Sequence, residues 1–259
     1  MYMSVAECHK HRYTVTMIRF FHVILWNLFR GPFMIPLMQF LADHPDKYSD
    51  EVRYCFARYA IRIMMRTGLI RTKSVGMENL PVDGGYVMYP NHEGKFDALG
   101  IMITHDKPCS VIIKDERSHG MLTRQFIDMI QGKRLVQGDF RQTIALFNEV
   151  VQEIRQGKRF IIFPEGGYYK GKRNEVGDFM PGSFKLAVKA KAPIVPVALI
   201  DSYKVFEESS WLWPVRPVIR YLEPILYDEY KDLKTPQIAE LVKDRIRSAI
   251  TEQEHAQPA

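Results

Sequence analysis

Two short polar motifs, each following an apolar run, carry the residue types best suited to chemistry. The first, Asn91-His92-Glu93-Gly94-Lys95-Phe96-Asp97, supplies an imidazole and, five positions on, a carboxylate. The second, Phe163-Pro164-Glu165-Gly166-Gly167, supplies a glutamate and two flexible glycines. A carboxylate that holds one imidazole nitrogen fixes the tautomer and leaves the other nitrogen to take a proton. On a regular helix a five-residue spacing sets two side chains about 140° apart, out of contact. The pair can meet only if Pro90 and Gly94 mark a loop that folds back. Asp97 then falls in the first turn of the next helix, where its charge suits the helix dipole. The alternative is a solvated histidine beside a helix-capping aspartate. Together the motifs suggest a general base acting on a hydroxyl, beside a polar loop that positions the substrate.

Around Glu165 stand Lys158, Arg159, Lys170, Lys172 and Arg173. One acid in a basic, glycine-rich loop could hold a phosphate and hydrogen-bond a polyol, or could be a charged surface turn. Gly166-x4-Gly171-Lys172 nearly matches a nucleotide-binding P-loop. However, Arg173 replaces the Ser or Thr that would hold magnesium, and the polar stretch that follows is broken by Gly177, Pro181 and Gly182. His92, Glu93 and Asp97 could be imagined as metal ligands, but no further histidine lies at ligand spacing, so no metal is expected.

The elements that must position these motifs read as an alternation. Apolar runs at Tyr86–Tyr89, Ser110–Ile113, Arg134–Val136, Phe160–Phe163, Ile194–Ile200 and Val215–Tyr221 have the form of strands. Helical periodicity marks 50–68, Ala98–Thr104, Leu122–Ile130, Thr143–Gln156, Ser183–Lys191 and Pro236–Glu252. This pattern predicts an α/β fold, a mixed central sheet flanked by helices, with chemistry at the strand tips.

At 259 residues the chain is long enough for a full core. Its net charge of +6 is too diffuse to argue for nucleic acid and suits an anionic membrane surface or a phosphate-bearing substrate. Cys8, Cys55 and Cys109 are odd in number and scattered, which favours reduced thiols in a cytosolic setting. The segment 17–42 holds two apolar runs split by Arg30-Gly31-Pro32, neither of which approaches the roughly 20 residues of a spanning helix. It reads as a two-helix motif lying in one leaflet, with Lys10, Arg12, Arg19 and Arg30 toward headgroups and Trp26 and the phenylalanines in the acyl boundary. A buried core hairpin is the competing reading. Residues 1–49 are thus expected to form an interfacial helical hairpin and 50–259 the α/β domain.

The ordered set of His92 and Asp97, Lys114-Asp115-Glu116 after a strand, Phe163-Pro164-Glu165-Gly166, and Ala192-Pro193-Ile194-Val195-Pro196-Val197-Ala198-Leu199 resembles the 1-acyl-glycerol-3-phosphate acyltransferase family. The likeness runs from about Val75 to Leu226. The resemblance implies an α/β enzyme with a membrane-apposed N-terminal motif, which moves a fatty acyl chain from acyl-CoA or acyl carrier protein to the sn-2 hydroxyl of lysophosphatidic acid in phospholipid biosynthesis. It needs no cofactor beyond the donor substrate. His92 would be the general base and Asp97 its orienting partner. Glu165, Gly166 and Gly167 would belong to acceptor binding, Lys114 would contact the acceptor phosphate, and Pro196 would shape the acyl pocket. No serine or cysteine sits in a nucleophile setting, so no acyl-enzyme is expected. A peripheral or monotopic place on the cytoplasmic face of the membrane follows.

Two departures from the family pattern bear on the acceptor. Gly167 and Tyr168 stand where threonine or serine and then arginine are usual, and Gly138 stands where a phosphate-binding arginine is usual. Phosphate recognition would then be re-routed through Lys114, Arg134, Arg141, Lys172 or Arg173. Otherwise the acceptor is another lysophospholipid or a glycolipid, or water replaces it and the enzyme is a thioesterase-like hydrolase.

Overall fold

The computed structural model describes residues 19–120, 122–169, 171–207 and 212–256. The expected headgroup contacts Lys10 and Arg12, with Cys8 and Lys170, lie outside these residues. Helix α1 (Arg19–Asn27) meets α2 (Gly31–Asp43) at a bend of 86°. Pro32 sits in the first turn of α2, where a missing N–H is tolerated. Among the described residues no single helix is long and apolar enough to cross a bilayer, although the bent pair passes by length and composition. Helix α3 (Asp50–Thr67) starts at Ser49, whose hydroxyl accepts from Val52 N, with Asp50 and Glu51 in its first turn. It ends at Gly68. A Cβ there would lie 2.9 Å from Val23 Cγ2, so glycine is what lets α1 cross the end of α3.

The sheet has seven strands: β1 (Lys73–Val75), β2 (Val87–Pro90), β3 (Cys109–Lys114), β4 (Lys133–Leu135), β5 (Arg159–Ile161), β6 (Ile194–Ile200) and β7 (Val218–Tyr221). Their spatial order is β1-β7-β6-β2-β5-β3-β4. The run β6-β2-β5-β3-β4 is parallel throughout, whereas β7 is antiparallel to β6 and carries β1 parallel beside it. The expected mixed α/β sheet is therefore present. Its parallel core brings the C-terminal ends of β2, β3, β5 and β6 to one edge.

Helices cover both faces. On one lie α7 (Phe140–Arg155), α8 (Lys185–Ala190) and α10 (Thr235–Ala256); on the other lie α2, α3, α4 (Asp97–Thr104) and α6 (Thr123–Met129). The short helices α5 (Asp115–Ser118) and α9 (Tyr227–Tyr230) complete the set. Strand β6 shows why the central strands read as unbroken apolar runs. Ile194, Ala198 and Ile200 enter the first core, and Val195, Val197 and Leu199 enter the second. Each such aliphatic side chain stabilises the fold by about 1.5–3 kcal/mol on burial. Met38 and Leu41 of α2 lie in the second core with Tyr54 and Ile61 of α3, while Phe29 and Phe33 at the bend are 85% and 80% exposed.

Several boundaries differ from the sequence expectation. The short edge strand β1 was not expected, because Lys73, Ser74 and Val75 carry no apolar alternation. Strand β7 begins at Val218 instead of Val215, since Pro214 and Pro217 cannot donate to a ladder. Helix α7 begins three residues before the expected Thr143, because the Asp139 carboxylate caps it by accepting from Gln142 N at 2.9 Å.

Candidate active site

Strand β2 ends at Pro90, and the loop that follows doubles back so that His92 and Asp97 meet. Nδ1 of His92 lies 2.7 Å from Asp97 Oδ2. The same oxygen accepts from the backbone N–H groups of Glu93 (2.6 Å) and Gly94 (2.9 Å), and Oδ1 accepts from Ser202 Oγ at 2.5 Å. Asp97 is fully buried, and four donors compensate its desolvation. With Asp97 acting as acceptor, Nδ1 carries the proton and Nε2 is the basic nitrogen. Nε2 has no hydrogen-bond partner among the described residues. The imidazole stacks on Phe163 (centroids 4.2 Å apart) and meets Tyr168 edge-on at 4.7 Å. Its plane is therefore set from three sides.

The loop is pinned to its neighbours on both flanks. Toward β6, Asn91 closes a two-way bridge with the backbone of Leu199, donating to its carbonyl at 3.0 Å and accepting from its N–H at 2.7 Å. Glu93 Oε2 accepts from Ser202 N (2.8 Å) and Tyr203 N (3.2 Å). Burial, joined by the nearby Asp97 charge, raises the Glu93 carboxyl well above the usual carboxylate range. Toward β5, Glu165 Oε1 accepts from His92 N at 3.1 Å, and Oε2 is paired with Lys172. Lys172 Nζ also donates to His92 O at 3.3 Å. Burial draws the Lys172 ammonium down to about 8, with Glu93 and Asp97 pulling the other way.

The residues expected at the site fall into three groups. His92, Asp97, Glu165 and Lys172 come together in one network. Both Glu165 oxygens and the Lys172 charge are engaged inside it, so these two residues brace the His92 loop. Gly166 makes the turn beyond Glu165 in the left-handed region, φ +70, with Met180 against it, and Gly167 is exposed. Lys114, half-buried at the end of β3, has no side-chain partner among the described residues, nor has the exposed Arg141 in the first turn of α7. The remaining three are placed differently, although Arg134 pairs with Ile113 in the β3–β4 register. Arg134 is held by Asp128 (2.5 Å) and Ser118 Oγ (2.9 Å). Arg173 lines a cleft with Asp201, Lys204 and Arg247. Pro196 is buried in the middle of β6, inside the sheet.

Three contributors had no place in the expected mechanism. Ser202 and Asn91 hold the carboxylate and the loop. Ser202 follows β6 at the same sheet edge, and a polar pair, Asp201-Ser202, directly after an apolar strand is the signal that could have found it. Arg117 on α5 is exposed and without a side-chain partner among the described residues. Burial chiefly raises the pKa of the Tyr168 hydroxyl; Glu207 and Asp97 add to the shift and Arg117 opposes it, which places Arg117 within electrostatic reach of the ring that touches His92. At Gly138 the backbone is left-handed, φ +86, with nothing within 4 Å of a would-be Cβ.

A histidine is thus held by a buried carboxylate at the strand tips of a parallel α/β core. Residues 71–200, half of the chain, match the acyltransferase family, and the chain belongs to that family. A 1-acyl-sn-glycerol-3-phosphate acyltransferase alpha of Mus musculus is 30% identical over 184 residues, covering 67% of this chain and 61% of its own. The 1-acyl-sn-glycerol-3-phosphate acyltransferase of Saccharomyces cerevisiae is 26% identical over 188 residues, covering 70% and 60%. The chain thus spans less than two thirds of the length of these relatives. A crystal structure of the 1-acyl-sn-glycerophosphate (LPA) acyltransferase PlsC from Thermotoga maritima superposes with a TM-score of 0.73 over 97% of this chain and 99% of that one. At 18% identity it shows a shared fold.

Proposed function

We propose that this enzyme moves a fatty acyl chain from an acyl thioester to the free sn-2 hydroxyl of 1-acyl-glycerol-3-phosphate, giving phosphatidic acid, with His92 as the general base and Asp97 as its orienting partner. The observation that carries this reading is the 2.7 Å contact between His92 Nδ1 and a fully buried Asp97, with Nε2 left open. In this reading Nε2 takes the proton as the hydroxyl oxygen attacks the thioester carbonyl. The tetrahedral intermediate then collapses, the C–S bond breaks, and the leaving thiolate recovers the proton from the imidazolium. Such base catalysis contributes about 10²–10⁴-fold. The acceptor phosphate would be held by Lys114, with Arg117 and Arg141 on the same side of the sheet edge. The donor is acyl-CoA or acyl carrier protein, either of which suits a basic rim. The exposed Phe21, Leu25, Phe29 and Phe33 of α1 and α2 support a monotopic or peripheral membrane seat, and we place it on the cytoplasmic face, where such donors are met.

Gly138 and Tyr168 favour one second reading, the same chemistry on a different lysolipid. The deciding experiment follows acyl transfer from labelled acyl-CoA by the wild type and His92→Ala in detergent, with lysophosphatidic acid, with other lysophospholipids and with no acceptor. Transfer to lysophosphatidic acid that vanishes in the variant is expected. Transfer only to another lysolipid moves the acceptor, and free fatty acid alone indicates a hydrolase. Retained transfer by a folded His92→Ala protein would overturn the base assignment.

A further inference from the structure

The segment joining β6 to β7 touches both the catalytic carboxylate and the N-terminal helices. Its first residues, Ser202 and Tyr203, hold Asp97 and Glu93. Further on, Phe206 packs edge-on against Phe20 of α1, with centroids 5.9 Å apart, and against Phe96, the residue before Asp97, at 6.4 Å. Toward its end the Trp213 carbonyl accepts from Arg19 Nη2 at 2.7 Å, while Arg19 Nη1 donates to Gly68 O at 2.5 Å. Arg19, expected to face headgroups, is instead 1% exposed, because its guanidinium is drawn inward by these carbonyls. A buried guanidinium thus ties α1, the end of α3 and the β6–β7 segment together.

The clamp fixes Leu212 and Trp213 beside α1 with their side chains in solvent, 60% and 73% exposed. A lone exposed leucine or tryptophan needs no explanation. Here the two adjoin in sequence, and Arg19 holds the Trp213 backbone to α1, a helix that exposes Phe21, Leu25 and Trp26 of its own. The flank is basic. The bridge between Ile70 and Val215 sets Arg71 and Arg216 next to each other, both exposed and neither with an acidic partner among the described residues. Tryptophan on an apolar surface edged by arginine suits the headgroup level of an anionic bilayer.

We infer that Leu212 and Trp213 form a second lipid-contacting element, which enters the interface of an anionic bilayer beside α1 and α2. The inference rests on the membrane seat proposed above for those helices. Helices alone give a line of contact about which the domain can roll. A further contact on the β6–β7 segment fixes the roll, and that segment begins at the catalytic carboxylate.

The test uses two full-length proteins, each with one tryptophan. Trp26→Phe with Trp211→Phe leaves Trp213 as the reporter, and Trp211→Phe with Trp213→Phe leaves Trp26. Each is mixed with vesicles of phosphatidylcholine and phosphatidylglycerol, some carrying brominated acyl chains. A blue shift and bromine quenching of Trp213 are expected. Paired Leu212→Ser and Trp213→Ser changes in the wild-type background are expected to lower the vesicle partition coefficient roughly tenfold, and by less on phosphatidylcholine alone. A shift of Trp26 without one of Trp213 overturns the inference and leaves the helices as the anchor. No shift at either position overturns both readings. A shift at Trp213 alone overturns the membrane seat of the helices, and with it the second, roll-fixing role inferred here, leaving this segment as the lipid contact.

Discussion

The two sides of the strand-end edge are built on opposite principles. On the β2–β6 side every carboxylate and amide is engaged: Asp97 by four donors, Glu93 by Ser202 and Tyr203, Glu165 by His92 and Lys172. On the β3–β4 side Lys114, Arg117 and Arg141 have no side-chain partners among the described residues, and Gly138 offers empty space. The first side is organised before substrate arrives, as a base needs to be. The second leaves positive charge uncompensated, and a bound anion would supply the compensation. Under the proposed function, chemistry and recognition should therefore be separable by mutation in this molecule.

The largest expected effect tests the organised side. His92→Ala should lower kcat by about 10²–10⁴-fold with the fold intact by circular dichroism, and Asp97→Asn should follow it closely. Equal activity in either would erase the distinction between the sides. Ser202→Ala should come next, with a loss of roughly tenfold in kcat from one missing charge-assisted hydrogen bond. The loss should fall on kcat with KM nearly unchanged, and Ser202→Thr, which keeps the hydroxyl, should restore most of it. No rescue by threonine would reduce Ser202 to a packing role.

On the recognition side, Lys114→Ala combined with Arg117→Ala should raise KM for an anionic lysolipid about tenfold, with kcat changed far less. A drop in kcat at constant KM would show the cations acting in the chemical step. The smallest effect concerns pH. Burial lowers the Lys172 pKa to about 8, so its ammonium is present below that value and lost above it. As pH rises through about 8 the bond to Glu165 weakens, and activity should decline. In Lys172→Arg the guanidinium keeps its charge, and the decline should shift to higher pH. A wild-type profile that is flat there would remove Lys172 from the network.

The legible part of this molecule was the part written in local pattern. Strands buried on both faces, such as Val87–Pro90 and Ile194–Ile200, appear as unbroken apolar runs. The His92–Asp97 loop is readable because proline, glycine and the acid lie within a few residues. Ser202 reaches Asp97 across a sequence separation of 105, and no local window can show a contact that sheet order creates. Charge was misleading for a related reason. Lys172 and Arg134 look available in the sequence, but the fold gives each a carboxylate partner, Glu165 and Asp128. Arg117 was overlooked because nothing in its surroundings sets it apart from other surface arginines until α5 is placed at the sheet edge.

Gly138 has a consequence for how readily this enzyme could change its acceptor over time. Its left-handed φ of +86 with free space around the missing side chain means that a larger residue meets backbone resistance and no steric wall. That resistance is only about 1–2 kcal/mol. A single codon change could place a guanidinium at this position, with no core to repack. Under the proposed function, headgroup preference would then be reversible in evolution at modest loss of stability, whereas the buried Asp97 network leaves little room for exchange.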